Sequence, residues 1–265
     1  MGLYLGSTDI EGASFYLGSN AVTGLYLGSN NLLPSSWVTD SLLGYWDANN
    51  ATSYGGSGTT WTDLSGNSKN LTHQSSPSYT GATGGDPGYF AIDSVASSTD
   101  YFSITDDTLA QLNNNTGLTI HALVYITDFS ALRYIVGSNS TANGAWRVKA
   151  QNISGNKFAY QPWDSVGNAF NVLSVGGQSP TTWYFVTLTH DWVTATGEVS
   201  VDDGSMNSTG TSTNTPSFTG GTMTVGNAPA TGDAFKGRIS AVMVYNKVLS
   251  SGEITQNYNY VTGQY

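Results

Sequence analysis

The stretch Leu118-Thr119-Ile120-His121-Ala122-Leu123-Val124-Tyr125-Ile126 decides how the rest of the chain is read. Leu118, Ile120, Ala122, Val124 and Ile126 recur at every second position, so an extended chain gathers them on one face. His121, Leu123 and Tyr125 fall on the opposite face. Such a segment is a central strand, and its apolar row calls for a covering layer.

Working outward, residues 183–189 repeat the pattern, with Tyr184, Val186 and Leu188 on one side and Trp183 and Phe185 on the other. Residues 42–46 open the domain, and further short strands are expected at 88–92, 100–104, 134–136, 146–150, 157–160, 169–173, 198–201, 218–226 and 235–245. In the last of these Phe235, Ile239, Ala241, Met243 and Tyr245 are expected to point inward together. Asp203-Gly204 suits a tight hairpin turn, and residues 106–112 suit one short helical turn. Ser250-Ser251-Gly252-Glu253 is a capping box with Leu249 and Ile254 as its hydrophobic staple, which predicts a single helix running to about Tyr260. Many short strands with almost no helix specify an all-β fold of two stacked antiparallel sheets.

Composition narrows the partners. The chain has 265 residues, 38% of them hydrophobic and 12% aromatic, enough for a sizeable core. Only 10% are charged, and 8 basic against 18 acidic residues leave a net charge of -10. No run of Lys or Arg is present to hold a phosphate backbone, which argues against nucleic acid. With no cysteine there is neither a disulfide framework nor a thiolate metal site. No stretch approaches the roughly 20 apolar residues of a membrane span, and no secretory signal opens the chain.

The first thirty residues differ in kind. One phrase is written three times, as Gly2-Leu3-Tyr4-Leu5-Gly6-Ser7, Phe15-Tyr16-Leu17-Gly18-Ser19-Asn20 and Gly24-Leu25-Tyr26-Leu27-Gly28-Ser29-Asn30. Each copy reads as a strand closed by a Gly-Ser turn. Leu3 and Leu5, Phe15 and Leu17, and Leu25 and Leu27 share one face, while Tyr4, Tyr16 and Tyr26 take the other. Three short strands with two apolar faces cannot enclose a core, so other protein is expected to cover them. The chain therefore divides into an anchoring or oligomerising segment, 1–36, and a globular domain, 37–265, joined by a linker over 31–40. Self-association, a trimer for example, is the expectation for these repeats.

Several motifs in the globular part form a familiar set: Tyr45-Trp46-Asp47-Ala48, Trp61-Thr62-Asp63-Leu64-Ser65-Gly66-Asn67, Trp183 to Thr189, and Gly237-Arg238-Ile239-Ser240 leading to Tyr245-Asn246 and Leu249-Ser250 with Glu253-Ile254. From Ser41 to about Tyr260 the chain resembles the laminin-G-like, concanavalin A-like jelly rolls. The resemblance implies a two-sheet sandwich whose first and last strands are neighbours; it implies no single activity, because this fold hosts lectins, adhesion modules and glycanases. The N-terminal phrase is similar to Tyr-Leu-Gly-Ser repeats that open some bacteriophage tail and virion proteins. That likeness implies a virion protein displaying a jelly roll, with other virion proteins as partners.

The residues offer four candidate chemistries. A glycanase needs two carboxylates spaced across the sugar bond; the three glutamates, Glu11, Glu198 and Glu253, are isolated and Glu253 belongs to the helix cap. The chain is accordingly read as no enzyme. His190-Asp191 reads as a strand-end pair facing water. Calcium could use Asp63, Asn67, Asp191, Asp202 or Asp203, but turn chemistry explains these better, so no cofactor is expected. For glycans the best candidate is Tyr160-Gln161-Pro162-Trp163-Asp164, an aromatic pair beside a carboxylate, with Trp146 as an additional ring and host-surface polysaccharide as the ligand. Trp46, Trp61 and Trp183 are expected inside. A free lectin is the second reading and a glycanase the third.

Overall fold

The computed structural model describes residues 16–17, 20–21, 26–27, 30–31, 36–93, 99–105, 116–138, 146–152, 155–162, 172–173, 176–202, 206–211, 222–228 and 233–264. The expected turns at 106–112 and 203–204 lie outside them, as do Leu3, Tyr4, Leu5, Phe15 and Leu25 of the repeats.

Two copies of the repeat fold on themselves. Tyr16–Leu17 (β1) pairs with Asn20–Ala21 (β2), and Tyr26–Leu27 (β3) pairs with Asn30–Asn31 (β4), each antiparallel across two residues. One strand per copy was the expectation. A copy is instead a complete minute hairpin, because the residues after the Gly-Ser pair return at once along the Tyr-Leu pair.

The sandwich begins with β5 (Leu42–Asp47), β6 (Thr60–Trp61), β7 (Leu71–His73), β8 (Ser78–Thr80), β9 (Tyr89–Asp93) and β10 (Phe102–Thr105). It continues with β11 (Gly117–Ile126), β12 (Arg133–Ser138), β13 (Trp146–Asn152), β14 (Asn156–Pro162), β15 (Val172–Leu173), β16 (Thr182–Asp191) and β17 (Thr196–Val201). The remaining elements are β18 (Met206–Thr211), β19 (Thr222–Val225), β20 (Asn227–Ala228), β21 (Asp233–Ala234), β22 (Lys236–Tyr245) and the helix α1 (Ser251–Thr262). The first sheet runs β15-β14-β13-β12-β19-β10-β7-β6, and the second runs β18-β17-β16-β11-β22-β9-β8. The free edge of β22 is shared: its first half pairs with β9 and its second half with β5, so the first and last sandwich strands are neighbours.

The apolar row of β11 faces the first sheet as expected, together with Tyr184, Val186 and Leu188 of β16. Opposite them lie Val148 and Ala150 of β13 and Phe158 of β14, and further along a ring cluster of Trp61, Phe90 and Phe102 with centroids 4.6–5.0 Å apart. Each large side chain fully buried here contributes about 1.5–3 kcal/mol. Gly44 is part of this packing, because a Cβ there would stand 2.3 Å from the Trp46 indole. That ring lies across the glycine, and its Nε1 donates to the Lys69 carbonyl at 2.8 Å.

One inward row differs from the expected one. Leu123 pairs with Ala241 but Val124 pairs with Ile239, so Ser240 is an extra residue in β22. A one-residue bulge flips every later side chain to the other face. Ile239 therefore faces the first sheet with Val242 and Val244, whereas Ala241, Met243 and Tyr245 face outward under α1. β5 has the same device at Leu43, which leaves Leu42 and Tyr45 outside and Leu43 and Trp46 inside.

Helix α1 covers that outer face. Its capping box is formed, with Glu253 N–H donating to Ser250 Oγ and Ser250 N–H donating to Glu253 Oε2, and the staple residues Leu249 and Ile254 are buried. Trp37 and Val38, expected in the linker, are docked on this layer. The Trp37 ring meets Tyr45 at 4.8 Å and Tyr260 at 5.1 Å.

Candidate functional site

Alternation along β11 and β16 sends Leu123, Trp183 and Phe185 to the outer face of the second sheet. The last two turns of α1 present Tyr258 and Thr262, four residues apart and so on one side of the helix, to the same place. Together with Asp202 these residues line a recess of about 240 Å³. Asp202 follows β17 in a left-handed conformation, φ 60°, and its Oδ1 accepts from the Phe185 amide at 2.9 Å, which fixes the carboxylate at the rim.

Trp183 is the hinge between this recess and a polar aromatic platform. Its Nε1 donates to Asp86 Oδ1 at 2.9 Å, and Asp86 Oδ2 accepts from Arg238 at 2.8 Å. The Arg238 guanidinium lies over both Tyr89 and Tyr125, 4.5 Å from each ring centre. Tyr125 and Tyr89 in turn stand 5.5 and 6.0 Å from Trp183. All five side chains are half-buried, so part of each faces solvent. Such a surface is suited to binding: ring faces cover the apolar side of a sugar while carboxylate and guanidinium take its hydroxyls.

Behind the recess sits a buried polar network. Val38 N–H, which can only donate, bonds to Asn257 Oδ1 at 2.8 Å, so the amide nitrogen of Asn257 points the other way. That nitrogen donates to His121 Nε2 at 3.1 Å and to Tyr245 Oη at 3.0 Å. His121 Nε2 is thereby an acceptor and its proton sits on Nδ1, directed at Thr187 Oγ1 2.8 Å away. Tyr245 completes the circuit by donating to the Val38 carbonyl at 2.9 Å. Full burial holds the imidazole neutral, pushing its pKa from 6.5 down to about 3, and burial likewise raises that of Tyr245. His121 stacks on Phe185 at 5.0 Å, so the network supports a wall of the recess.

The residues favoured from sequence fare differently. Tyr160 and Trp146 are 0% and 1% exposed, and both belong to the inter-sheet core, so neither offers a ring face to a ligand. The reason is parity: Trp146 shares a face with Val148 and Ala150, and Tyr160 shares one with Phe158. Trp163 and Asp164 lie outside the described residues. His190 does not face water. β16 continues two residues beyond its expected end, which places His190 on the row of Leu188, 0% exposed, with Tyr160 Oη 3.0 Å and Trp192 Nε1 3.2 Å from its Nδ1.

The proposed calcium oxygens have structural duties. Asp63 accepts from the amides of Tyr45, Ser65 and Lys69, Asn67 donates to the carbonyls of Leu42 and Leu43, and Asp191 caps the turn at Val193 and Thr194. Among the described residues no group of three or more His, Asp or Glu could hold a metal ion. Trp46 and Trp61 are buried, but Trp183 is only half so and stands at the site. Its place opposite the inward row of β16 was the one clue to this in the sequence.

A two-sheet jelly roll with an aromatic recess on one outer face defines the class. The chain belongs to the concanavalin A-like lectin/glucanases superfamily, whose Laminin G 3 family matches residues 96–255. No curated protein matches the sequence. Among solved structures, the binding domain of botulinum neurotoxin DC in complex with rat synaptotagmin II superposes with a TM-score of 0.63 at 15% identity, over 84% of this chain and 52% of that one. The same binding domain in complex with SialylT gives 0.61 at 14% identity, again over 84% and 52%. The serotype C1 binding domain gives 0.62 at 13% identity over 84% and 53%. The chain thus spans about half the length of these structures, and at such identities they share its fold.

Proposed function

We propose that this chain is a non-enzymatic adhesion module of a bacteriophage virion, a tail, fibre or capsid-surface component. In this reading the jelly roll binds host-surface glycan through the Trp183 site, and the N-terminal repeats join it to other virion proteins and to further copies of itself. The observation that carries the binding role is the continuous surface of Tyr89, Tyr125 and Trp183, linked by Arg238 and Asp86 and opening into the recess of Phe185, Tyr258 and Asp202. Glu253 is occupied with the helix cap and Lys247, and Glu198 accepts from Thr189, which favours binding over hydrolysis. Toxin binding domains of this fold offer a parallel in that one is complexed with SialylT and cell entry of type C depends on two ganglioside molecules.

Glycan-array binding by the full chain tests the site. Trp183→Ala should weaken the best ligand by at least about tenfold, as truncation of a central aromatic contact does, while circular dichroism stays unchanged. Equal binding by the variant would overturn the assignment, and released reducing ends would overturn the non-enzymatic reading. Deleting residues 1–36 should abolish self-association and incorporation into particles. An unchanged oligomeric state would favour a free lectin.

A further inference from the structure

The donors that border the recess beside Trp183 are engaged by the protein itself. Trp183 Nε1 donates to Asp86 Oδ1 at 2.9 Å, the Phe185 amide to Asp202 Oδ1 at 2.9 Å, and the Thr262 hydroxyl to the Tyr258 carbonyl at 2.7 Å. Asp202, as a carboxylate, only accepts. Leu123 and Phe185 stand at the back, each 1% exposed, and carry no polar side-chain atom. The lining thus offers a ligand carbon surface from Leu123, Trp183, Phe185 and Tyr258 and, at the rim, a negative charge.

Size and stiffness restrict the occupant further. The volume of about 240 Å³ lies below the roughly 300–1,000 Å³ of a pocket for a drug-sized molecule, and at ~30 Å³ per water it equals about eight waters, the room of one pyranose residue. Its walls are held: Phe185 is set between His121, stacked at 5.0 Å, and Tyr258, edge to face at 5.7 Å, while Asp86 ties the Trp183 indole. A hydroxymethyl group pushed against Leu123 and Phe185 would lose its water and find no donor there, which is costly. A methyl group in the same place loses nothing and covers carbon. Acidic sugars are disfavoured as well, by Asp202 at the rim and by a net charge of -10.

We propose that the recess selects a neutral 6-deoxyhexose residue, which carries a methyl group at C6 where an ordinary hexose carries a hydroxymethyl group. This rests on the reading of the Trp183 surface as a glycan site and names the residue that the site takes. The C6 methyl enters against Leu123 and Phe185, and the apolar face of the pyranose lies on Trp183. The rest of the glycan then runs over Tyr89 and Tyr125, where the Arg238–Asp86 pair meets its hydroxyls.

The probes are two pairs of sugars that differ only by the hydroxyl on C6, L-fucose with L-galactose and L-rhamnose with L-mannose, each coupled in many copies to albumin and tested with the full chain by surface plasmon resonance. In at least one pair the deoxy member should bind about tenfold tighter, and a D-galacturonate conjugate should not bind. Saturation-transfer NMR with the free deoxy sugar should place the strongest signal on its C6 methyl protons. Thr262→Phe, at a half-buried position in the last turn of α1, puts a ring into the recess and should make the two members of the pair equal; the methyl signal stands as the readout if that variant does not fold. Equal binding within both pairs, or a methyl signal weaker than that of the ring protons, would overturn the 6-deoxyhexose assignment. If Trp183→Ala then still abolished binding of some other glycan on an array, the glycan reading of the site would survive that failure. Absence of binding to every saccharide would overturn both.

Discussion

The two sides of the second sheet are built on opposite plans. Its inner side meets the first sheet through aliphatic and aromatic groups, with His190 as one buried polar exception near the end of β16. Its outer side meets α1 and the strap at Trp37–Val38 through a centre of hydrogen bonds, His121–Asn257–Tyr245–Val38, surrounded by Leu42, Phe185, Met243 and Ile254. The first plan depends on volume and tolerates exchange of like for like. The second depends on complementary donors and acceptors, so one wrong atom strands several others. Bulk decides that the sandwich forms, and polarity decides where the helix and strap sit on it.

This contrast can be broken from either side. Trp46→Ala, which empties the inner side and frees the Lys69 carbonyl, should cost about 3–5 kcal/mol in urea unfolding, the upper range for an aromatic truncation. Acid should act on the outer side through His121. Unfolded His121 takes a proton near pH 6.5 and folded His121 only near 3, so between these values the unfolded chain binds more protons and stability falls as pH falls. At about 1.4 kcal/mol per pH unit the loss reaches roughly 3 kcal/mol by pH 4. Carboxylates titrate in the same range, so the check is the difference between the wild type and His121→Gln, whose profile should be flatter.

Asn257→Leu should cost about 2–3 kcal/mol, because Val38 N–H loses its acceptor and His121 Nε2 loses its donor. It should also raise protease sensitivity near Ser36 while the inter-sheet core remains protected in hydrogen exchange. The smallest effect belongs to the helix start, where Ser250→Ala removes the cap from Glu253 N–H and should cost about 1 kcal/mol. If Asn257→Leu instead loosened both sides equally, the two plans would be one cooperative unit.

What could be read from the sequence followed the same division. Period two in β11 and β16, the capping box and the apolar staple are local patterns, and the structure carries all of them. The bulge at Ser240 is also local, yet it obeys no composition rule, so a fixed alternation carried through β22 assigned Ala241, Met243 and Tyr245 to the wrong side. Trp146 and Tyr160 differ in that the local pattern does carry their place. Their alternation with Val148, Ala150 and Phe158 is a period-two core pattern, and it outweighs the exposure expected of an aromatic near a carboxylate. The Trp183 site was beyond reach, because Asp86, Trp183 and Arg238 meet only through pairing across separations of 97 and 152 residues.

The strap at residues 36–38 has a mechanical meaning. Gln256 Nε2 donates to the Ser36 carbonyl, Asn257 holds the Val38 amide and Tyr260 meets Trp37 edge to face, so one side of α1 grips the chain that arrives from the repeats. The other side of the same helix, Tyr258 and Thr262, is a wall of the recess. Traction applied through residues 1–35 is therefore not borne by a slack tether. It enters the helix within one turn of the recess and passes into β22 and β11, so the wall that would touch a ligand lies directly in the line of load.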